Sequence, residues 1–141
     1  MNLNDRIKQL IATKAEDAVR LAGEIWDFAE LPYCEVRSAA ALQEALEKEG
    51  FTIEENIADI PTAFTATFKN GCGKPTMGLL AEYDALYGLS QKAAFPTQQP
   101  VKEGAPGHGC GHNLLGAGCY AAAVALKDYL TQENKDGTVI F

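Results

Sequence analysis

The sequence predicts an α/β fold, and three observations carry that expectation. Segments with apolar residues at three- and four-residue intervals alternate along the chain with short strand-like segments. One stretch, Thr62–Phe68, shows strict two-residue alternation. Another, Thr76–Ala81, is apolar without interruption and stops abruptly at Glu82-Tyr83-Asp84. In open α/β sheets the polar end of such a strand is where ligand sites form.

The elements follow in order. Leu3, Ile7, Leu10, Ile11, Ala15, Ala18, Ala22, Ile25, Trp26 and Ala29 keep a helical period, so one long helix is expected, stopping near Leu31-Pro32. A second helix is expected from about Val36 to Glu49, with Ala40, Leu42, Ala45 and Leu46 inward and Gly50 closing it. Strand-like sequence begins at Phe51. In Thr62–Phe68 the residues Phe64, Ala66 and Phe68 face one side and Thr65 and Thr67 the other; Asn70-Gly71 then supplies a turn. The run Thr76–Ala81 reads as a strand covered on both faces. Residues 88–111 are rich in Gly, Pro and Gln and form a loop, the kind of long segment that is usually functional or mobile. Asn113 is placed to cap a helix through Leu114, Leu115, Ala121, Ala122, Ala125, Leu126 and Tyr129. Asp136-Gly137 turns into a last core strand, Thr138–Phe141.

Composition narrows the function classes. Apolar residues at 47% and charged residues at 22% describe an ordinary globular chain long enough for one domain. Residues 1–60 carry 13 acids against 6 bases and residues 61–141 carry 6 of each, with no basic stripe. Electrostatic capture of nucleic acid or of an anionic membrane is therefore not expected. The N-terminus shows no signal-peptide pattern and no apolar run long enough to span a bilayer, so a cytoplasmic location is the expectation. The four cysteines lack the spacing of a disulfide scaffold and are expected to be reduced. Cys34, Cys72 and Cys119 read as small packing residues, and Trp26 as core.

The chemistry concentrates in Gly107-His108-Gly109-Cys110-Gly111-His112-Asn113, which holds both histidines of the chain and one of its four cysteines. If this segment is extended, His108, Cys110 and His112 all face one cavity, and the glycines allow the backbone to approach a ligand closely. Thiolate and imidazole suit zinc, while nearby carboxylates broaden the choice toward manganese. Cys110 and His112 are the candidate metal ligands. His108 is a candidate ligand, a substrate contact or a hydrogen-bond donor behind a ligand. Asp84 is expected to orient a ligating histidine by accepting its second N–H. Glu82, two residues earlier on the same face, reads either as a site carboxylate or as a solvated strand end.

The combination of Gly78-Leu79-Leu80-Ala81-Glu82-Tyr83-Asp84-Ala85-Leu86, Gly88-Leu89-Ser90-Gln91 and Gly107–Gly116 resembles the zinc-peptidase-like, metal-dependent amidohydrolases, the family that includes hippurate hydrolase, auxin-conjugate hydrolases and aminobenzoyl-glutamate hydrolases. Glu30-Leu31-Pro32-Tyr33 and Gly50-Phe51 extend the resemblance over nearly the whole chain. Tyr87 stands where the family usually has Pro, and Asn113 where many members have Asp. The resemblance implies the first part of a zinc-aminopeptidase-like catalytic domain, helices packed on a mixed sheet, with the lid or dimerisation domain and the C-terminal part absent from residues 1–141. It implies two divalent ions, zinc or manganese, in the complete site, held in part by Cys110 and His112, with Asp84 as the strand-end acid and Glu82 where related peptidases carry a histidine. The implied reaction is attack of a metal-activated water on an N-acyl amino acid such as p-aminobenzoyl-glutamate, by a full-length homo- or hetero-oligomer. The family's paired glutamates, one the general base, are not in this sequence, so the isolated chain is expected to be inactive. Two other readings stay open: a non-catalytic metal-binding or interaction module, and a thiol hydrolase in which Cys110 is activated by His108 or His112.

Overall fold

The computed structural model describes residues 2–141. Its order is α1 (Leu3–Ala12), α2 (Ala15–Phe28), α3 (Val36–Lys48), β1 (Thr52–Glu55), a 3-10 turn (Ile57–Asp59), β2 (Phe64–Asn70), β3 (Thr76–Gly78), α4 (His112–Gln132) and β4 (Gly137–Ile140). The four strands form one mixed sheet in the order β1-β2-β4-β3. β2 pairs antiparallel with both β1 and β4, while β3 runs parallel to β4 with Met77 opposite Val139. The α/β expectation, with helices on a mixed sheet, matches this arrangement.

The single long N-terminal helix does not form; it is two. The Thr13 hydroxyl donates to the Leu10 carbonyl and competes with the helical ladder there. Lys14, the next residue, reaches Glu49 at 2.7 Å and Asp128 at 3.9 Å. The break lets α1 lie across α4 while α2 packs between α3 and α4. α3 ends as its sequence suggests. Gly50 takes φ +86°, its N–H bonds to Glu47 O, and Phe51 N–H bonds to Leu46 O, the paired bonds of a Schellman motif.

The core lies between the helices and one sheet face. Leu21, Ile25, Leu42, Leu46, Tyr120, Val124 and Val139 are fully buried there, with Phe64, Phe68 and Met77 against them. α4 sits at the centre, and its small residues Gly116, Ala117, Ala121 and Ala123 let its neighbours approach closely. On β2 the side with Phe64, Ala66 and Phe68 faces this core, as the alternation requires.

β3 corrects the expectation of a strand covered on both faces. It is an edge strand of three residues, with Met77 and Leu79 turned to the core and Leu80 94% exposed on the other side. A continuous apolar run satisfies a half-covered strand as readily as a covered one, so periodicity alone could not separate them. Cys34 and Cys72 are exposed rather than packed, and Cys119 and Trp26 are only partly buried.

Candidate metal centre

Beyond β3 the chain runs on past Leu79, whose N–H donates to Ile140 O, and brings Glu82 and Asp84 to the sheet's end. Two contacts fix the next stretch of chain. Ala85 N–H donates to the Glu30 carbonyl at 2.7 Å, and Leu86 and Gly107 exchange backbone hydrogen bonds at 3.0 Å in both directions. The second contact closes the long loop at its base and delivers the glycine-rich segment beside the strand end. Gly107 is required there: a Cβ on it would stand 2.1 Å from the Leu89 carbonyl oxygen.

Gly111 has φ +85° and precedes the first residue of α4. That turn ends the two-residue alternation expected of an extended segment, so the three side chains do not share a direction. His112 opens α4 with both ring nitrogens engaged: Nδ1 lies 2.8 Å from Asp84 Oδ1 and Nε2 3.1 Å from Glu82 Oε2. One ligand atom from each of Glu82, Asp84 and His112 falls within 4.8 Å of the others. Cys110 is exposed and stands outside this group, and among the described residues no hydrogen bond joins it to either imidazole. His108 is turned away and buried, with Nε2 at 2.9 Å from the Ile25 carbonyl and its ring stacked on Trp26. Burial pushes the His108 imidazole below its ordinary pKa and outweighs the opposing effect of the Ile25 carbonyl. Asn113 does not cap α4. It lies inside the first turn, 5% exposed, and its amide donates to Ala22 O on α2 at 3.1 Å.

The donors fit a divalent ion. With Nδ1–H donated to Asp84, Nε2 presents a lone pair toward the Glu82 carboxylate, an arrangement that a proton or a cation must relieve. Ligand bonds of about 2.0–2.2 Å put neighbouring donors roughly 3.0–3.4 Å apart around one ion, and the 3.1 Å separation of Nε2 and Oε2 lies in that range. Cys110, two residues before His112, faces solvent and lies outside this donor group.

Two supports of this site lie outside the candidate site residues read from the sequence. The Glu30 carboxylate receives the backbone N–H groups of Arg37 and Ser38 and the Ser38 hydroxyl, capping α3 from the end of α2. Burial pushes the Glu30 carboxyl up, but these hydrogen bonds outweigh it and hold it below the usual value. Glu35, 8% exposed, accepts from the Thr62 hydroxyl at 2.6 Å, and the Thr62 carbonyl accepts from the Tyr83 hydroxyl. Burial pushes the Tyr83 hydroxyl pKa up. Through this chain of bonds the residue between Glu82 and Asp84 is anchored to the turn before β2. An open hollow of about 430 Å³, lined by Phe64, Leu79, Tyr83 and Phe141 among others, lies beside the two carboxylates.

No protein-family model matches the chain. Over 86% of its residues it is 50% identical to a p-aminobenzoyl-glutamate hydrolase subunit from Escherichia coli (strain K12), covering 25% of that protein. It is 26% identical over 136 residues to thermostable carboxypeptidase 1 of Saccharolobus solfataricus, covering 32% of it. Among solved structures, 88% of the chain superposes with TM-score 0.67 and 25% identity on a dinuclear metal binding peptidase of the M20 family from Bacillus subtilis, covering 34% of that chain. It superposes over 98% of its length, with TM-score 0.77 and 20% identity, on 34% of a putative aminohydrolase from methicillin-resistant Staphylococcus aureus. The chain thus spans about a quarter to a third of the length of the curated relatives it matches.

Proposed function

On the premise that the chain belongs to the M20-type aminohydrolase and peptidase family, we propose that it supplies one part of a two-metal centre that cleaves N-acyl amino acids. p-Aminobenzoyl-glutamate, named in the E. coli relative, is the first substrate to test. The observation that carries the reading is His112, held at Nδ1 by Asp84 with Nε2 aimed at Glu82. His112 Nε2 and the Cys110 thiolate are assigned as ligands, Asp84 as the carboxylate that fixes the His112 tautomer and ring, and Glu82 as the carboxylate facing the same ion. The mixed imidazole, thiolate and carboxylate donors suit zinc or manganese. Such ions, when bound, polarise an amide carbonyl and lower the pKa of water. The chain's own part is to place and orient these donors and to hold one proton at His112 Nδ1.

Glu82, Asp84, Cys110 and His112 are too few to saturate two ions that each take four or more ligands. Turnover therefore needs donors and a general base from outside these residues, and the 141-residue chain alone is inactive. The active protein is cytoplasmic and oligomeric, in keeping with a relative described as one subunit of a hydrolase. A Cys110 nucleophile is the weaker reading, because both nitrogens of His112 face carboxylates and His108 faces Ile25.

A chimera tests this: residues 1–141 replace the matching quarter of the E. coli relative, and release of p-aminobenzoate is followed with zinc or manganese present. The chimera is expected to hydrolyse the substrate, C110S and H112A chimeras to lose at least 10²-fold, and the chain alone to give nothing above buffer. Unchanged turnover in the H112A chimera, or turnover by the chain alone, overturns the assignment.

A further inference from the structure

His108 and Asn113 bracket the Cys110-Gly111-His112 step, and both are 5% exposed. Each reaches the same helix. His108 Nε2 bonds to Ile25 O and Asn113 Nδ2 to Ala22 O, carbonyls one turn apart on α2. A carbonyl only accepts, so His108 carries its proton on Nε2, and Nδ1 is left as a buried acceptor. Neither that nitrogen nor Asn113 Oδ1 has a partner among the described residues. An imidazole and an amide that merely filled space here could be replaced by apolar side chains without leaving two polar atoms unpaired in the interior. What an apolar side chain could not do is fix orientation, since packing contacts are non-directional and a hydrogen bond to a helix carbonyl is not.

We infer that His108 and Asn113 are positioning residues: they clamp the two ends of the Cys110–His112 step to the Ile25 and Ala22 carbonyls, one turn apart on α2, and so set where the thiol and the imidazole stand relative to Asp84 and Glu82. Apart from the contacts of His112 with Asp84 and Glu82, the loop would otherwise reach α4 held by backbone hydrogen bonds. The Leu86–Gly107 bridge lies before His108, and Gly111, at φ +85°, bonds among the described residues only to near neighbours: its N–H donates to His108 O and its carbonyl accepts from the N–H groups of Leu114 and Leu115. The clamp also explains the order of residue types. Ligand-capable Cys110 faces out while its neighbour His108 faces in, because the bond to Ile25 O turns the second imidazole toward α2.

The inference rests on the metal-centre reading, and the experiment separates the two. Zinc affinity of the 141-residue chain is measured by competition with a chromophoric chelator, beside the thermal midpoint of the metal-free protein. His108→Ala and Asn113→Ala are each expected to weaken zinc binding about 10- to 100-fold. His108→Gln, whose amide can still donate to Ile25 O, should stay within about threefold of the starting protein. If His108→Ala fails to fold by circular dichroism, His108→Gln and Asn113→Ala carry the test. Leu130→Ala serves as the structural control: it truncates a buried core residue away from the loop and should lower the midpoint while leaving zinc affinity unchanged. Zinc affinity unaltered in His108→Ala, or lowered as much by Leu130→Ala, overturns the clamp. Equal binding by the starting protein and His112→Ala overturns the metal reading, and the clamp with it.

Discussion

The Asp84–His112 pair shows what a single residue position decides. An imidazole can be a ligand through Nε2 only if its other nitrogen is protonated and its ring is aimed, and Asp84, with Oδ1 2.8 Å from Nδ1, stands where a carboxylate would do both. Asp84→Asn keeps the volume but can present an N–H to Nδ1, which favours the wrong tautomer. It should weaken zinc binding about 10- to 100-fold with little loss of stability, measured by chelator competition and by thermal midpoint. The residue types of this site were legible in the sequence. Glu82 and Asp84 were placed by two-residue spacing at a strand end, and His112 by its company of glycines. What could not be read was direction. Gly111 at φ +85° reorients everything after it, and a glycine's sequence does not disclose which of its permitted conformations it takes. His108, two residues before Cys110, ends inside the protein while Cys110 ends outside it, because a bond to the Ile25 carbonyl turns the His108 ring toward α2, a contact remote in sequence.

At the scale of elements, the loop closure between Leu86 and Gly107 brings the glycine-rich segment beside the strand end. Gly107→Ala would drive a methyl group into the Leu89 carbonyl, so the bridge must open. Expected is a loss of about 1–3 kcal/mol in denaturant unfolding together with weakened zinc binding; a fully stable variant with intact zinc affinity would show that the closure is dispensable. The helices α3 and α4 and the strands β2 and β4 were readable because their periodicity and turn residues agreed with tertiary packing. The break between α1 and α2 was not, because it depends on Lys14 meeting Glu49 and Asp128, residues remote in sequence. The one-sided burial of β3 depends likewise on its place at the sheet edge, which only the strand order reveals.

Across the whole molecule, Glu49 joins parts that periodicity treats as separate: it accepts from Lys14 at 2.7 Å and from Lys127 at 2.9 Å, tying the α1–α2 break and the end of α3 to α4. Burial pushes the Glu49 carboxyl up, but the two lysines outweigh it and hold it below its ordinary value of 4.5. A carboxyl with a depressed folded-state pKa stabilises the protein above its unfolded value, and that contribution disappears as the pH falls through the folded value. Glu49→Gln should therefore cost about 1–2 kcal/mol near pH 7, a midpoint drop of roughly 3–8 °C. The deficit relative to the starting protein should shrink in melts below about pH 4; a deficit independent of pH would assign the loss to packing. A last consequence lies in the parallel pairing of Met77 with Val139, which joins strands on either side of the entire loop and α4. Contacts that distant form late, because the entropy of closing the intervening chain is spent before the pairing repays it. Glu82, Asp84 and His112 meet inside that ring, so an ion held by the site they form favours the folded chain over the open one. By mass action, free metal at 100 times its dissociation constant would add about 2.7 kcal/mol to the folded state, making the survival of this chain against proteolysis a readout of how much metal surrounds it.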